Sequence, residues 1–178
     1  MKLKKEILNK AKKIKLLATD VDGVLTDGKI VILNSGEELK FWNVYDRFAF
    51  TLLRNYSPGI KIAWITGRTS PQVVARAHEV GVNYLYQKCM DKMTAVTEIL
   101  KKENLSVNEI AFIGDDLVDL PVLLRCGFSA CPKNATREVR KAVDYITNAE
   151  SGKGVFREIT EIIFKSQGLW KKVLKKYC

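Results

Sequence analysis

Aspartates, a threonine and a lysine recur in this sequence at points where apolar runs end, and these side chains could do chemistry together. Two aspartates two positions apart on an extended chain project to the same side, so their repulsion requires a cation or strong hydrogen-bond donors. Carboxylate oxygens with water and phosphate oxygens form a hard site that suits Mg²⁺. The residues are Asp20 and Asp22 in DVDG, Thr66, Gly67 and Arg68 in TGR, Lys92 after Asp91, and Asp115, Asp116 and Asp119 in DDLVD.

The reaction that these residue types favour is phosphoryl transfer. One aspartate can attack phosphorus and form an aspartyl-phosphate, and a second, two residues on, can protonate the leaving oxygen and later deprotonate water. A carboxylate that approaches a phosphate dianion is repelled, so a metal ion and a lysine must first cancel that repulsion.

Each of these segments also has a purely structural explanation. The DVDG segment could be a turn or a calcium loop, although the long acidic loop ending in glutamate that an EF-hand requires is missing. Thr66 and Gly67 could form a simple turn, Lys92 could be a solvated surface lysine, and Asp115 with Asp116 could cap the next helix. The order of all these segments along one α/β chain favours the chemical interpretation.

Strands and helices alternate along the chain, which predicts a Rossmann-like, doubly wound parallel sheet with helices on both faces. Ligands bind such sheets beyond the carboxyl ends of the strands, where the polar segments lie. The predicted strands are Leu16–Asp20, Ile60–Ile65, Tyr84–Tyr86, Ile110–Ile113, Phe128–Ala130 and, more weakly, Asp144–Ile146. The predicted helices are Arg47–Asn55, Pro71–Val80, Lys92–Glu103, Leu117–Arg125 and Ala135–Ala142.

A predicted β-hairpin, residues 29–42, interrupts this pattern after the first strand. Its β-rich runs Lys29–Leu33 and Glu38–Trp42 are joined by the turn-forming residues Asn34–Glu37. The hairpin is the only insertion after DVDG, and too little chain separates the motifs for a large cap domain. We therefore expect one domain over residues 1–178, which ends in a C-terminal helix and tail at about residues 152–178.

Composition narrows the function classes. The net charge is +10, from 30 basic and 20 acidic residues, but much of the excess lies in Lys2–Lys15 and Lys165–Lys176. No aromatic-rich basic stripe suggests nucleic acid, and the charge also suits small anionic substrates. Apolar runs are far shorter than the roughly 20 residues of a membrane span, and no secretory signal is expected. The four cysteines have no metal-site spacing and predict free thiols in the cytoplasm.

The order of the motifs resembles that of the haloacid dehalogenase-like superfamily of phosphohydrolases. Its four motifs match Asp20 with Asp22, Thr66, Lys92 and Asp115. Further segments are similar to the branch that hydrolyses 3-deoxy-D-manno-octulosonate 8-phosphate, whose relatives act on nonulosonate 9-phosphates. These segments are DVDGVLTDG, TGRTS with Arg76 eight residues after its arginine, LYQ, GDDLVDLPV and GKGVFRE, and the similarity spans about residues 16–167.

The resemblance implies a role for each matching residue. Asp20 would be the nucleophile and Asp22 the general acid and base, and the Asp20 carboxylate, the Asp22 backbone carbonyl and Asp115 would hold Mg²⁺. Asp116 could equally be a helix cap and Arg76 an exposed cation. The remaining implied roles are phosphate binding by Thr66, Gly67 and Lys92, contact with the anionic sugar by Arg68, Arg76 and Asp46, and orientation of Lys92 or metal-bound water by Asp116 and Asp119.

Two segments depart from that branch. Asp46-Arg47-Phe48-Ala49 stands where the branch has D-G-x-G, and Ser151–Glu158 differs from its late glycine motif. Both departures predict a change in substrate preference more than in reaction type. The resemblance also implies a homotetramer whose hairpins pair around an axis and in which Gly152–Arg157 reaches a neighbour's active site. Alternatively, the hairpin folds back onto its own domain.

Overall fold

A six-stranded parallel sheet forms the centre of the protein, whose structure is a computed structural model describing residues 3–178. Its strands are β1 (Leu16–Thr19), β4 (Lys61–Ile65), β5 (Tyr84–Tyr86), β6 (Ile110–Ile113), β7 (Phe128–Cys131) and β8 (Tyr145–Ile146). Their spatial order is β5-β4-β1-β6-β7-β8, with β1 between β4 and β6. A separate antiparallel pair consists of β2 (Val31–Ile32) and β3 (Glu38–Leu39).

Helices cover both faces of the sheet, which confirms the predicted doubly wound α/β fold. The strands β1, β6 and β7 are buried along their whole length because each has an apolar layer above and below it. One layer holds α1 (Lys5–Ala11), α2 (Val44–Tyr56), α3 (Pro71–Val80), α7 (Val155–Ser166) and α8 (Trp170–Tyr177). The other holds α4 (Lys92–Glu103), α5 (Leu120–Leu123) and α6 (Arg137–Ala142).

The helix predicted at Leu117–Arg125 is shorter in the structure. A 3₁₀ turn, Leu117–Asp119, comes first, and α5 then covers only Leu120–Leu123. Pro121 lies in the first turn of α5, where its missing N–H and fixed φ favour a helix start. The prediction merged two short elements because their apolar spacing runs on without a break.

The hairpin is present, but its paired strands have only two residues each. Its base is attached to the domain by Trp42, whose ring stacks on Trp64 of β4 with centroids 5.6 Å apart. Beyond the base the apolar side chains face solvent: Phe41 is 64% and Ile32 66% exposed. Apart from Trp42 and the half-buried Val31, the hairpin therefore leaves its large apolar side chains uncovered within its own chain.

The segment Gly152–Arg157 leads into α7 and packs against its own domain. The Gly152 N–H donates to the Val24 carbonyl oxygen at 3.0 Å, and the side chains of Val155 and Phe156 are completely buried. Within one chain α7 uses the buried residues of this segment for its own packing, and the expectation that the segment reaches a neighbouring subunit stays a prediction. Among residues 3–178, no helix combines the length and apolar character that crossing a bilayer would require.

Candidate active site

Asp20 directly follows β1, the strand near the middle of the sheet. Its N–H donates to the Ile113 carbonyl oxygen on β6 at 2.9 Å, and the Thr19 hydroxyl donates to its carbonyl oxygen at 2.7 Å. Because β1 lies between β4 and β6, the residues that follow these three strands meet at one edge of the sheet. That edge therefore brings together Asp20, Thr66 after β4 and Asp115 after β6.

Lys92, the first residue of α4, is buried and pairs with two aspartates. Its Nζ lies 2.8 Å from Asp20 Oδ1 and 2.6 Å from Asp119 Oδ1. The Asp91 carboxylate accepts the N–H of Thr94 at 3.3 Å and so caps the start of α4. Burial alone would lower the pKa of Lys92, but the charges of Asp20 and Asp119 outweigh it and raise that pKa. Lys92 is therefore a buried ammonium group and not a solvated surface lysine.

Three carboxylates surround this single ammonium group. One oxygen each of Asp20, Asp115 and Asp119 lies within 4.8 Å of the others, and Asp115 Oδ1 is buried without a hydrogen-bond partner among residues 3–178. Burial raises the pKa of Asp20 to about 6 despite the nearby Lys92. Burial, with the charges of Asp20 and Asp119, raises the pKa of Asp115 to about 8. The excess negative charge and the free hard oxygen fit a divalent cation. We call Asp20, Lys92, Asp115 and Asp119 the strand-end cluster.

Asp119 organises the turn that carries Asp115. Its Oδ2 accepts the N–H of Asp115 at 2.9 Å and of Asp116 at 3.3 Å, while its Oδ1 accepts from Lys92. Asp116 is exposed, and its Oδ1 accepts the N–H of Leu117 at 2.7 Å. Asp119 thus contacts Lys92 directly. Asp116 has the geometry of a helix cap, which is the alternative role that the sequence analysis considered for it.

The loop after Asp22 passes so close to Asp115 that it requires glycine at position 23. Gly23 has a φ of +94°, and a Cβ added there would lie 2.2 Å from Asp115 Oδ2. Any side chain would therefore displace the Asp115 carboxylate. The glycine of DVDG lets the acid pair and Asp115 share one small space.

Thr66 and Gly67 form the turn at the end of β4. Thr66 is buried, its N–H donates to the Tyr86 carbonyl oxygen at 2.9 Å, and its carbonyl oxygen accepts from the Cys89 N–H at 3.0 Å. Its hydroxyl oxygen accepts the N–H of Arg68 at 3.2 Å, so the hydroxyl hydrogen can be donated to an anion.

Two hairpin residues that the sequence analysis did not single out, Glu38 and Lys40, lie beside Asp22. Lys40 Nζ contacts Asp22 Oδ1 and lies 2.6 Å from Glu38 Oε1. Arg68 Nη2 lies 2.5 Å from Glu38 Oε2, and Arg68 Nε lies 3.9 Å from Asp22 Oδ2. Hydrogen bonds from Lys40 and Arg68 hold the pKa of Glu38 below its ordinary value. The sequence feature that could have identified them is the alternation of charged residues at positions 38 and 40 with the apolar residues Leu39 and Phe41.

Arg76 and Arg47 lie outside this group and pair with a different acid. Arg76 Nη1 donates to Glu79 Oε2 at 2.6 Å, and Arg47 Nε donates to Glu79 Oε1 at 3.1 Å. The Arg76 guanidinium also lies 5.8 Å from the centre of the Trp42 ring. The Arg47–Glu79 pair joins α2 to α3, the Arg76–Glu79 pair lies within α3, and among the described residues neither arginine forms an ion pair with the strand-end cluster.

Asp46 does not have the substrate-facing position predicted for it. It is buried, and its Oδ1 accepts the N–H of Arg157 at 2.8 Å near the start of α7. Burial raises the pKa of Asp46 to about 6, although backbone N–H groups of α7 oppose this rise. Phe48 packs edge-on against Tyr177 of α8, with ring centroids 5.7 Å apart. The segment that departs from D-G-x-G therefore anchors the C-terminal helices.

Comparison with known proteins places this geometry in a family. The sequence model of the haloacid dehalogenase-like hydrolases matches residues 74–159. The 3-deoxy-D-manno-octulosonate 8-phosphate phosphatase KdsC of Escherichia coli K12 is 36% identical over 163 residues, which cover 92% of this chain and 86% of that protein.

Solved structures agree with this similarity. One is the 3-deoxy-D-manno-octulosonate 8-phosphate phosphatase of Moraxella catarrhalis in complex with magnesium ion, phosphate ion and KDO. It is 39% identical, with a TM-score of 0.93, over 97% of this chain and 98% of that one. Another is the cobalt-bound deoxy-D-mannose-octulosonate 8-phosphate phosphatase of Haemophilus influenzae. It is 36% identical, with a TM-score of 0.84, over 89% of this chain and 92% of that one.

Proposed function

Because the chain belongs to the haloacid dehalogenase-like hydrolases and is a phosphoric monoester hydrolase, we propose that it hydrolyses a sugar-acid phosphate through an aspartyl-phosphate on Asp20. The observation that carries this proposal is the strand-end cluster: a buried carboxylate at the end of β1 beside a buried lysine and two further acids. The substrate that we favour for this hydrolase is 3-deoxy-D-manno-octulosonate 8-phosphate, because the chain is similar to the phosphatases described above.

In the proposed reaction, an Asp20 oxygen attacks phosphorus while the bond to the sugar oxygen breaks. Asp22 gives its proton to that sugar oxygen as it leaves. Water then attacks the phosphorus of the aspartyl-phosphate and gives a proton to Asp22, which frees phosphate and restores Asp20. Lys92 neutralises charge on the transferring group, and the Thr66 hydroxyl and the Gly67 turn bind its oxygens.

The proposed cofactor is Mg²⁺, for which the Asp20 carboxylate, the Asp22 backbone carbonyl and Asp115 are the ligands. When bound, the ion cancels the repulsion between a carboxylate and a phosphate dianion. The buried Asp115 Oδ1 supports this assignment because it has no hydrogen-bond partner in residues 3–178. Relatives whose structures contain magnesium or cobalt support a divalent ion.

The sugar acid would be bound on the hairpin side of the site. Arg68 is the candidate to bind the carboxylate of the sugar acid, because the Arg68 guanidinium lies beside Asp22 and is partly exposed. Arg76 remains a candidate only if the assembled protein brings it near a second active site, since within one chain it pairs with Glu79. The second candidate substrate is a nonulosonate 9-phosphate or another small sugar phosphate. The unusual residues of Asp46–Ala49 bear on this choice only if the segment faces substrate in the assembled protein, because within one chain it packs against the C-terminal helices.

We also propose a homotetramer in the cytoplasm. The exposed apolar side chains of the hairpin support assembly, because an uncovered apolar strand pair invites pairing with another chain. Cyclic or dihedral symmetry would bury the same patch in every subunit. Four unpaired cysteines support a reducing compartment; burial raises the pKa of Cys126 and Cys131 to about 12 and so keeps them as thiols.

The experiment that tests this function measures phosphate release from a panel of sugar phosphates with and without Mg²⁺. We expect metal-dependent turnover with 3-deoxy-D-manno-octulosonate 8-phosphate among the best substrates. Asp20→Asn should abolish turnover, because the amide is not a nucleophile, and beryllofluoride should bind the wild type in place of the phosphoryl group.

Activity that survives in Asp20→Asn would refute the aspartyl-phosphate mechanism. Release from a nonulosonate phosphate alone would keep the mechanism and change the substrate. A wild-type chain that binds Mg²⁺ but hydrolyses nothing on the panel would favour a non-catalytic assembly module.

A further inference from the structure

Lys40 is unusual because its side chain is only 2% exposed although it lies on the otherwise exposed hairpin. A lysine loses hydration when it is buried, so its charge must be compensated by partners. The partners are Asp22, which belongs to the loop after β1, and Glu38, which is two residues away on β3. Phe41, the next residue along the chain, is 64% exposed. The hairpin thus turns a charged side toward the active site.

The contact between Lys40 and Asp22 distinguishes the two oxygens of the Asp22 carboxylate. Oδ1 receives the Lys40 ammonium group, whereas Oδ2 is buried and has no hydrogen-bond partner among the described residues. Arg68 Nε lies 3.9 Å from Oδ2, which is too long for a hydrogen bond. One oxygen is therefore held in place and the other remains available for proton exchange.

Glu38 keeps Lys40 in this position. Its Oε1 binds Lys40 at 2.6 Å and its Oε2 binds Arg68 at 2.5 Å, so Asp22, Lys40, Glu38 and Arg68 form a closed ring of ionic contacts. The ring joins β3 of the hairpin to the loops after β1 and β4. Of these four residues, only Asp22 and Arg68 belong to the motifs shared with phosphohydrolases.

We propose that Lys40 is a positioning residue that orients Asp22 for proton transfer to the leaving sugar oxygen. This inference rests on the proposed function, in which Asp22 is the general acid and base. A carboxylate on a loop has rotational freedom about its side-chain torsions, and a fixed Oδ1 removes most of that freedom. The hairpin thus completes the catalytic geometry of its own chain, in addition to any part it has in assembly.

Leaving groups of different basicity separate this role from a structural one. A sugar alkoxide is a strong base and requires a proton as it leaves, whereas p-nitrophenolate is a weak base and leaves without one. A misplaced Asp22 therefore slows the sugar phosphate selectively. General damage to the fold or to the phosphate site slows both substrates alike.

The experiment compares Lys40→Met and Lys40→Arg with the wild type on the best sugar phosphate of the panel and on p-nitrophenyl phosphate. Lys40→Met should lower kcat for the sugar phosphate about 10- to 100-fold but change kcat for p-nitrophenyl phosphate less than about threefold. Lys40→Arg keeps a donor and should recover most of the sugar phosphate rate. The matched control is Lys29→Met, which removes an exposed hairpin cation and should change neither rate. Among residues 3–178, Asp27 is the only acid that pairs with Lys29.

Equal losses on both substrates, or an effect on KM alone, would overturn the proposal. If Lys40→Met does not fold, as judged by circular dichroism, Lys40→Gln and Glu38→Gln provide the same comparison, with a smaller selective loss expected for Glu38→Gln. An inactive wild type would instead refute the proposed function. An active wild type whose Lys40 variants show no selective loss would refute this inference alone.

Discussion

The strand-end cluster and the hairpin both place charged side chains at the active site, but they hold them in different ways. Asp20 and Asp115 follow buried strands whose backbones are fixed by neighbouring strands on both sides, and Lys92 starts a capped helix. Glu38 lies on β3 and Lys40 directly follows it, in a hairpin whose strands have two residues each and which is attached mainly by ionic contacts and by one stacked tryptophan.

This difference separates the reaction from its selectivity. The groups to which we assign contact with the phosphoryl group lie on rigid elements, where packing of the whole sheet resists displacement. The hairpin is thin and exposes apolar side chains, so its position depends on ionic contacts and on any chain that covers it. We therefore expect changes in the cluster to abolish activity and changes in the hairpin to modify it.

The largest effect is expected for Asp115→Asn in the cluster. Under the proposed function Asp115 binds the metal ion, so its loss should lower activity by at least about 100-fold because several kcal/mol of charge stabilisation disappear. Without metal the same variant should be more stable than the wild type by about 1–3 kcal/mol, since it removes a buried acid from among like charges.

The pH dependence of this stability gain has a defined sign. Burial raises the pKa of Asp115 from 3.8 to about 8, so the metal-free native state binds its proton more tightly than the unfolded chain does. The wild type therefore loses stability relative to Asp115→Asn as the pH rises from about 4 to 8. Denaturant unfolding in a chelator at several pH values measures this difference. A variant that is less stable than the wild type at pH 8 would contradict the interpretation that Asp115 is destabilised by burial and by the neighbouring carboxylates.

The next effect concerns assembly through the hairpin. Ile32→Glu with Phe41→Glu places charges on the two most exposed apolar side chains of the hairpin and should prevent chains from packing there. Sedimentation should show the wild type as a tetramer at micromolar concentration and the double variant as smaller species. Sugar phosphate hydrolysis should weaken, while the affinity for Mg²⁺ stays unchanged.

A control for this experiment is Leu124→Glu, which changes an equally exposed apolar side chain beyond α5 and should leave assembly intact. A wild-type chain that sediments as a monomer with full activity would show that the hairpin needs no partner chain.

A smaller effect is expected for Asp46, which links α2 to α7. Burial raises its pKa from 3.8 to about 6, so its ionisation costs the native state stability as the pH rises from about 4 to 6. The side chain introduced by Asp46→Asn stays neutral, so the free energy of unfolding of this variant should rise by about 1–3 kcal/mol relative to the wild type over this range. Thermal unfolding at pH 4 and pH 7 measures the gain. A difference that does not change with pH would mean that the α7 backbone N–H groups fully compensate the carboxylate.

The smallest effect is expected for Arg47→Gly, which introduces the glycine that the family resemblance implies at this position. The variant loses the contact with Glu79 and places glycine inside α2, which should cost about 1 kcal/mol. Because Arg47 contacts no active-site residue of its own chain, hydrolysis of sugar phosphates and of p-nitrophenyl phosphate should change by the same factor. A change in substrate ranking would instead support the sequence-based expectation that this segment faces substrate in the assembled protein.

The sequence by itself determined the fold class and the membership of the family. Apolar runs of strand length that alternate with helical spacing require a parallel sheet covered on both faces, and that sheet is present. The same reasoning identified which residues follow β1, β4 and β6, because the carboxyl ends of parallel strands share one edge. The structure brings Asp20, Lys92, Asp115 and Asp119 together at that edge.

Only the tertiary structure decided the positions that depend on contacts between distant segments. Asp46 lies in the segment that the sequence assigned to the substrate site. In the structure it is buried against the start of α7, whose residues follow it by more than a hundred positions in the sequence. Lys40 belongs to none of the motifs that the sequence analysis identified, yet it contacts Asp22 because the hairpin folds toward the sheet edge. Local spacing specifies which face of an element a side chain occupies; which distant surface that face meets depends on how the whole chain packs.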